Sequence, residues 1–322
     1  MSLVSKGIHH VTAIASDPQK NLDFYAGVLG FRFVKRTVNF DDPTTYHFYF
    51  GDGAGNPGSI LTFFPWPGSR RGRQGDGQVG VTSFAILPSS VGFWIERFIK
   101  HQVDFEHPKT RFDEERVIAF RDPDGLLVEL VAHPGAEAGT GWSTAAVPAE
   151  HSIRGLYSVT LWQESCDLTG KLLLDSLGFE PVLEQASTFR YAAKGRGLGS
   201  VVDLRCVPGL WPGVLGAGTV HHVAFRARDD AEQLESRGEL VAKGYNVSPL
   251  MNRDYFRSIY FREPGGVLFE IATDPPGFTI DEPIDKLGQS LKLPEWLEPR
   301  RFEIEALVPN IRLPMEIPGP NA

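Results

Sequence analysis

The chain has little sulfur. Among 322 residues there are three methionines and two cysteines, Cys166 and Cys206, and the cysteines form no C-x-x-C pair. So few cysteines exclude a disulfide framework and point to a reducing, cytoplasmic setting. Positive charge is not in excess either, with 32 Lys and Arg against 40 Asp and Glu and a net charge of −8. That balance argues against nucleic acid or an anionic membrane as a partner, since both favour basic surfaces. Apolar stretches such as "FAIL" and "LLVELVA" are far too short to cross a bilayer. The opening "MSLVSKGIHH" has none of the apolar core of a secretory segment. What is present, 42% hydrophobic residues with 34 glycines and 24 prolines, describes a turn-rich globular protein long enough for two domains.

The most informative pattern is internal repetition. "GIHHVTAI" from Gly7 aligns with "GLYSVTLW" from Gly155, and the same shift carries "VLGF" from Val28 onto "SLGF" from Ser176. "RDPDGLLVELVA" from Arg121 likewise matches "REPGGVLFEIAT" from Arg262, setting Glu129 on Glu270. The doublet His9-His10 returns as His221-His222 in "VHHVAF"; aligned with "VTSFAI" from Val81, it puts Thr82 and Ser83 at the histidine positions, while Tyr157 and Ser158 take them in the third quarter.

Each quarter reads as strand, helix and three strands. In the first, "SDP" supplies a helix cap and an early proline, Leu22, Tyr25, Val28 and Leu29 recur at helical spacing, and Gly30 ends the helix. Alternating segments follow between turns such as "DDPTT". The expected fold is α+β, with four βαβββ modules in two tandem domains forming cupped mixed sheets with helices outside. The Gly, Ala and Pro-rich segment 136–152 separates a domain over 4–135 from one over 153–278, and a proline-punctuated extension, 279–322, packs on the body with a short helix near "EPRRFEIEAL".

Strand alternation selects one histidine of each doublet for a central cavity. Val223 and Phe225 share the His221 face and suit packing under a helix, which leaves His222 facing the cavity and, by the same reasoning, His10 with Thr12 beside it. Glu270 interrupts an apolar strand in the same sense, and a carboxylate there is costly without a cation. His10, His222 and Glu270 make a two-histidine, one-carboxylate set of the type that holds non-haem iron and leaves coordination positions open. One cup collects all three only if the first module pairs with the fourth, within a chain or across a swapped dimer. The second and third then form a sister cup with Ser83, Ser158 and Glu129, which lacks histidine partners. Phe256, Trp211 and Trp66 are candidate walls for an aromatic ligand.

These residues resemble the vicinal oxygen chelate superfamily, which includes glyoxalase I, bleomycin-resistance proteins and extradiol dioxygenases. More narrowly, "GIHHVT", "VHHVAF", "NRDYFRSIYFREPGGVLFEIATDPPGF" and "LPEWLEPRR" are similar to the two-domain hydroquinone ring-cleaving dioxygenases. The resemblance implies active-site roles for His9, Thr12, His221, Arg253 and Tyr260, with His9 and His221 behind the ligands, whereas alternation alone turns those two away from the cup.

The expected activity is Fe(II)-dependent, or alternatively Mn(II)-dependent, ring cleavage of a substituted or plain hydroquinone, an extradiol-type reaction that incorporates both atoms of O2. Small aromatic diols and O2 are then the partners, and a homo-oligomer is compatible with the sequence. A catechol dioxygenase, a glyoxalase-like isomerase or thiol transferase, and an aromatic-binding protein without activity are the alternatives. A fourth protein ligand is common in glyoxalase-like sites, and "SILTFFPW" offers no carboxylate for one.

Overall fold

The computed structural model describes residues 6–313 apart from Asp113 and Arg196, so the expected domain start at 4 and the end of the extension lie outside the described residues. Four times the chain repeats one order of elements. The first module comprises β1 (Ile8–Ala15), α1 (Pro18–Leu22), β2 (Arg32–Asn39), β3 (Asp42–Gly51) and β4 (Ile60–Pro65). The second comprises β5 (Gln78–Ile86), α2 (Val91–Lys100), β6 (Lys109–Arg111), β7 (Glu115–Arg121) and β8 (Leu127–Ala132). The third has β9 (Leu156–Gln163), α3 (Asp167–Asp175), β10 (Phe179–Gln185), β11 (Thr188–Ala193) and β12 (Val201–Cys206). The fourth has β13 (Val220–Ala227), α4 (Asp230–Ala242), β14 (Met251–Asn252), β15 (Phe256–Arg262) and β16 (Leu268–Pro276).

The modules pair out of order. One eight-stranded sheet runs β14-β15-β16-β13-β1-β4-β3-β2, and the other β10-β11-β12-β9-β5-β8-β7-β6. The first thus joins modules one and four, the second modules two and three. At each centre the leading strands of two modules pair antiparallel, β1 with β13 and β5 with β9, while each leading strand pairs parallel with the last strand of its own module. The union of first and fourth modules therefore occurs within a single chain.

Alternation sorts the two faces of the first sheet. Val11, Ala13, Val223, Phe225, Phe269 and Ile271 join the main core, which also takes Tyr25, Trp94 and Phe98 from the helical segments. Each large side chain fully buried there is worth about 1.5–3 kcal/mol. The opposite face carries His10, Thr12, His222 and Glu270. Helix α1 starts as the sequence suggests, with the Asp17 carboxylate accepting from the backbone N–H groups of Gln19 and Lys20. It then widens into a π-helical turn, Asp23–Val28, before Gly30 turns the chain at φ +72°, where a Cβ would come within 2.7 Å of Val147.

The C-terminal segment clasps the edge formed by β2 and β3. Fully buried Lys35 lies 2.5 Å from both Asp281 and Glu282, the Lys292 N–H donates to the Arg36 carbonyl at 2.9 Å, and Tyr46 donates to the Pro309 carbonyl at 2.9 Å. Its helix, α5 (Arg301–Leu307), falls inside "EPRRFEIEAL". One expectation is corrected: Cys166 and Cys206 are joined in a disulfide, with Cα atoms 5.8 Å apart, tying the start of α3 to the end of β12. Sequence spacing concealed this because the intervening strands fold back on themselves. No helix among the described residues is long and apolar enough to cross a membrane.

Candidate metal centre

Strands β1, β13 and β16 bring His10, His222 and Glu270 to one point at the bottom of the first cup. His10 Nε2 lies 3.3 Å from His222 Nε2 and 3.3 Å from Glu270 Oε2, and His222 Nε2 lies 2.9 Å from the same oxygen. All three side chains are buried, and no other group of three His, Cys, Asp or Glu ligand atoms converges like this among the described residues. Glu270 Oε2 is buried with no well-directed hydrogen bond, although two imidazole nitrogens surround it. Converging lone pairs with an unsatisfied carboxylate oxygen at their centre suit a shared cation, so the residues fit a metal ion.

The electrostatics agree. Burial alone would push the Glu270 carboxyl up, but His10 and His222 outweigh it and hold Glu270 well below the ordinary carboxylate range. His222 is pulled below the usual imidazole value by burial, with Glu270 opposing.

The doublets are explained by two β-bulges. Pairing of Ile8 with Phe225 but His10 with Ala224 leaves His9 as an extra residue in β1, and pairing of Thr12 with His222 but Ala13 with Val220 leaves His221 as an extra residue in β13. Simple alternation fails at both positions. The bulges bring each extra histidine alongside its neighbour, with His9 Nδ1 2.9 Å from His10 Nδ1 and His221 Nδ1 2.8 Å from His222 Nδ1. A histidine that presented its Nε2 lone pair to an ion would carry its proton on Nδ1, so with an ion bound His10 and His222 would donate and His9 and His221 would accept. Burial, reinforced by the neighbouring histidine, keeps the accepting rings neutral, taking His9 well below its ordinary value and His221 down to about 3.

Tyr260 and Arg253 also reach the cup. Tyr260 pairs with Glu270 across β15 and β16, and its ring centroid lies 5.7 Å from that of His222. Burial first and Glu270 second raise its pKa, so the phenol keeps its proton. Arg253 Nε donates to Tyr260 Oη at 3.3 Å, and Arg253 Nη2 lies 3.2 Å from Asp41. Because a guanidinium only donates, Tyr260 accepts there and retains its own O–H for another partner. Phe256 packs against His9 and His10 with ring centroids 5.1 and 5.0 Å away, and Trp66 stacks beside Phe64, which abuts His221. Trp211 does not belong: it is 76% exposed, on a loop that bridges to Asp76 through Pro212.

His47 was not anticipated. It lies in β3 between Tyr49 and Phe64, with ring centroids 4.1 and 4.4 Å away, and burial followed by His10 and His222 holds it well below the usual imidazole range. The alternation in "TYHFYF" carried the signal, since Tyr46, Phe48 and Phe50 enter the core and His47 and Tyr49 must face the other way.

The sister cup departs from the expected alignment. Ser83 pairs with Glu129 as Ala224 pairs with Glu270, so the counterpart of His222 is Val81 and not Ser83. Ser158, the counterpart of His10, does pair with Ser83. The remaining space is filled with charge: Ser83 donates to Glu129 at 2.8 Å, Arg111 lies 3.1 Å from Glu129 and 2.9 Å from Glu115, and Arg190 binds Asp203 at 2.7 Å and also reaches Glu115. Glu129 is already compensated by an arginine and a hydroxyl. Glu129→Gln is expected to leave metal content unchanged, checked by elemental analysis of the purified protein; a loss comparable to that of Glu270→Gln would place a second ion in this cup.

A cupped pair of sheets built from duplicated βαβββ modules, with one His-His-Glu centre at a module seam, defines the class. The chain belongs to the Glyoxalase/Bleomycin resistance protein/Dioxygenase superfamily, which residues 7–130 match directly. It is 48% identical over 307 residues, 95% of this chain and 96% of the relative, to a Bacillus subtilis (strain 168) protein named "Putative ring-cleaving dioxygenase MhqO". It is 32% identical, over 93% of this chain and 94% of the relative, to the "Chlorohydroquinone/hydroquinone 1,2-dioxygenase" of Sphingobium indicum. A crystal structure of a "putative dioxygenase" from Bacillus subtilis superposes with a TM-score of 0.91 at 46% identity, covering 96% of this chain and 98% of that one.

Proposed function

We propose that this protein is a ring-cleaving dioxygenase acting on a hydroquinone-type diol, with Fe(II), or alternatively Mn(II), held by His10, His222 and Glu270. The observation that carries the reading is the convergence of His10, His222 and Glu270 with no fourth carboxylate joining them among the described residues. Thr62 pairs with Thr12 across β1 and β4 as Glu270 pairs with Ala224 across β13 and β16, so a threonine stands where repetition of the module would put another ligand. That favours open coordination positions over a glyoxalase-like four-ligand site. The likeness to proteins named ring-cleaving dioxygenases, one of them for hydroquinones, points the same way.

The bound ion would supply a Lewis acid that acidifies a phenol and a place where O2 and the ring meet. The chain's residues do the rest. Phe256 and Phe64 give the aromatic ring apolar walls, His9 and His221 hold the two ligand imidazoles in one tautomer, and Tyr260, oriented by Arg253, offers its proton to a ring oxygen. Cleavage breaks the bond between a hydroxyl-bearing carbon and its neighbour, with one oxygen atom ending in a carboxylate and the other in an aldehyde or its substituted equivalent. This is extradiol-type chemistry in which both atoms of O2 enter the product.

Anaerobic purification with Fe(II), followed by oxygen-electrode and ultraviolet assays on hydroquinones, catechols and methylglyoxal with glutathione, tests the reading. Stoichiometric O2 uptake with a hydroquinone is expected. Isomerisation of the methylglyoxal–glutathione adduct without O2 uptake would replace the proposal with a glyoxalase activity, and no turnover of any of them would leave only binding.

A further inference from the structure

The two oxygens of Glu270 have different surroundings. Oε2 lies 2.9 Å from His222 Nε2 and 3.3 Å from His10 Nε2 and has no well-directed hydrogen bond. Oε1 accepts a hydrogen bond from the Ser258 hydroxyl. Ser258 is fully buried in β15, two residues before Tyr260; Tyr260 pairs with Glu270 across β15 and β16 and Ser258 with Ala272, so both stand on the cup face of the strand. A carboxylate bound to an ion has no proton to give. With an ion at Oε2 the serine must donate and Oε1 must accept.

Repetition of the module isolates what this hydroxyl adds. In the second module Ala119 pairs with Glu129 and Val117 with Val131, which makes Val117 the counterpart of Ser258. Val117 joins a small apolar cluster with Ala85, Val131 and Tyr157, and Glu129 takes its hydroxyl from Ser83 on another strand. The fold therefore accepts a purely apolar side chain at this place in the cup that lacks the ligand set. Burying a hydroxyl there costs its hydration, and the charge-assisted bond to Glu270 offsets that cost. The serine goes with the ligands.

We infer that Ser258 is a positioning residue that holds Glu270 Oε1 against β15, so that only Oε2 faces the ion and the glutamate stays a one-oxygen ligand. The inference rests on reading His10, His222 and Glu270 as a metal centre. A carboxylate free to turn can grip an ion with both oxygens, as glutamate does in many calcium sites. Each further bond from the protein removes a position from outside ligands. The hydroxyls of a hydroquinone point to opposite ends of its ring, so such a diol reaches an ion through one oxygen, and O2 needs a position beside it. Anchored by Ser258, Glu270 leaves that position open.

The test uses the Mn(II)-loaded protein and needs no turnover. In water labelled with a magnetic oxygen isotope, broadening of the Mn(II) electron paramagnetic resonance lines counts the coordinated waters. Ser258→Ala should keep its metal and lose about one coordinated water relative to the unaltered protein, because Oε1 takes that position. Ser258→Thr, which keeps a hydroxyl, should restore it. Infrared difference spectra between loaded and metal-free protein give a second reading: widely separated carboxylate stretches, the mark of one-oxygen binding, in the unaltered protein, and a closely spaced pair in Ser258→Ala. An unchanged water count in Ser258→Ala, failure of threonine to rescue, a closely spaced pair in the unaltered protein, or no binding of Mn(II) by the unaltered protein would each overturn the proposal. The dioxygenase reading fails separately: a protein that shows the expected waters and stretches but consumes no O2 with any diol leaves the role of Ser258 standing.

Discussion

His222→Ala, His10→Ala or Glu270→Ala should purify nearly free of metal from preparations in which the unaltered protein retains about one divalent ion per chain. Each substitution leaves two donors, and two buried donors without the third hold a dissociable ion poorly. The neighbours should show a graded response. His9→Phe and His221→Phe keep a ring but remove the Nδ1 acceptor 2.9 and 2.8 Å from the ligand imidazoles. Loss of such an orienting partner should cost about ten- to a hundredfold in metal affinity, less than loss of a ligand. Elemental analysis after dialysis, with chelator competition for the affinities, reads both effects. Full metal content in the three ligand variants would discard the assignment, and wild-type affinity in His9→Phe and His221→Phe would reduce the bulges to a packing feature.

Tyr260→Phe should retain its metal and lose about a hundredfold in turnover, the usual scale for removing a positioned proton donor. Two observations set this expectation. The phenol's pKa is raised, so it enters the reaction protonated, and the Arg253 contact occupies its oxygen but leaves its hydrogen available. Arg253→Ala should lower turnover in the same direction with metal content intact, since it frees Tyr260 from its guanidinium anchor and from the link to Asp41. Oxygen uptake by Fe(II)-loaded protein, normalised to metal content, measures it. If both variants turn over like the unaltered protein, Tyr260 and Arg253 are simply wall and rim.

Much of this centre was legible in the chain because repetition does what a single motif does not. A lone histidine in a strand carries little information, but two doublets at equivalent repeat positions, with a glutamate in the fourth module's last strand, specify which modules must meet. The period of two then separated Val11, Val223 and Ile271 from His10, His222 and Glu270. The same rule misplaced His9 and His221, because a bulge adds a residue to one strand and local sequence does not announce it. It also misaligned the second module: "VTSFAI" and "VHHVAF" match best by composition two residues away from the register fixed by the Ser83–Glu129 and Ala224–Glu270 pairs. His47 went unread although its strand alternates cleanly, since nothing repeats it elsewhere. The disulfide was hidden for a different reason, as contact between the start of α3 and the end of β12 is a property of the folded module.

The seam between β1 and β13 has a mechanical consequence. His10 and His222 are 212 residues apart in sequence, yet their ring nitrogens lie 3.3 Å apart, so an ion between them would staple the beginning of the chain to its final quarter. Such a staple exists only in the folded protein and drains population from the unfolded one. At a hundredfold excess of free ion over its dissociation constant, the gain is about 2.7 kcal/mol. The metal content of the medium would thus shift the protein's melting temperature. A cell short of the ion would hold a protein that unfolds more often, and proteases act on the unfolded fraction.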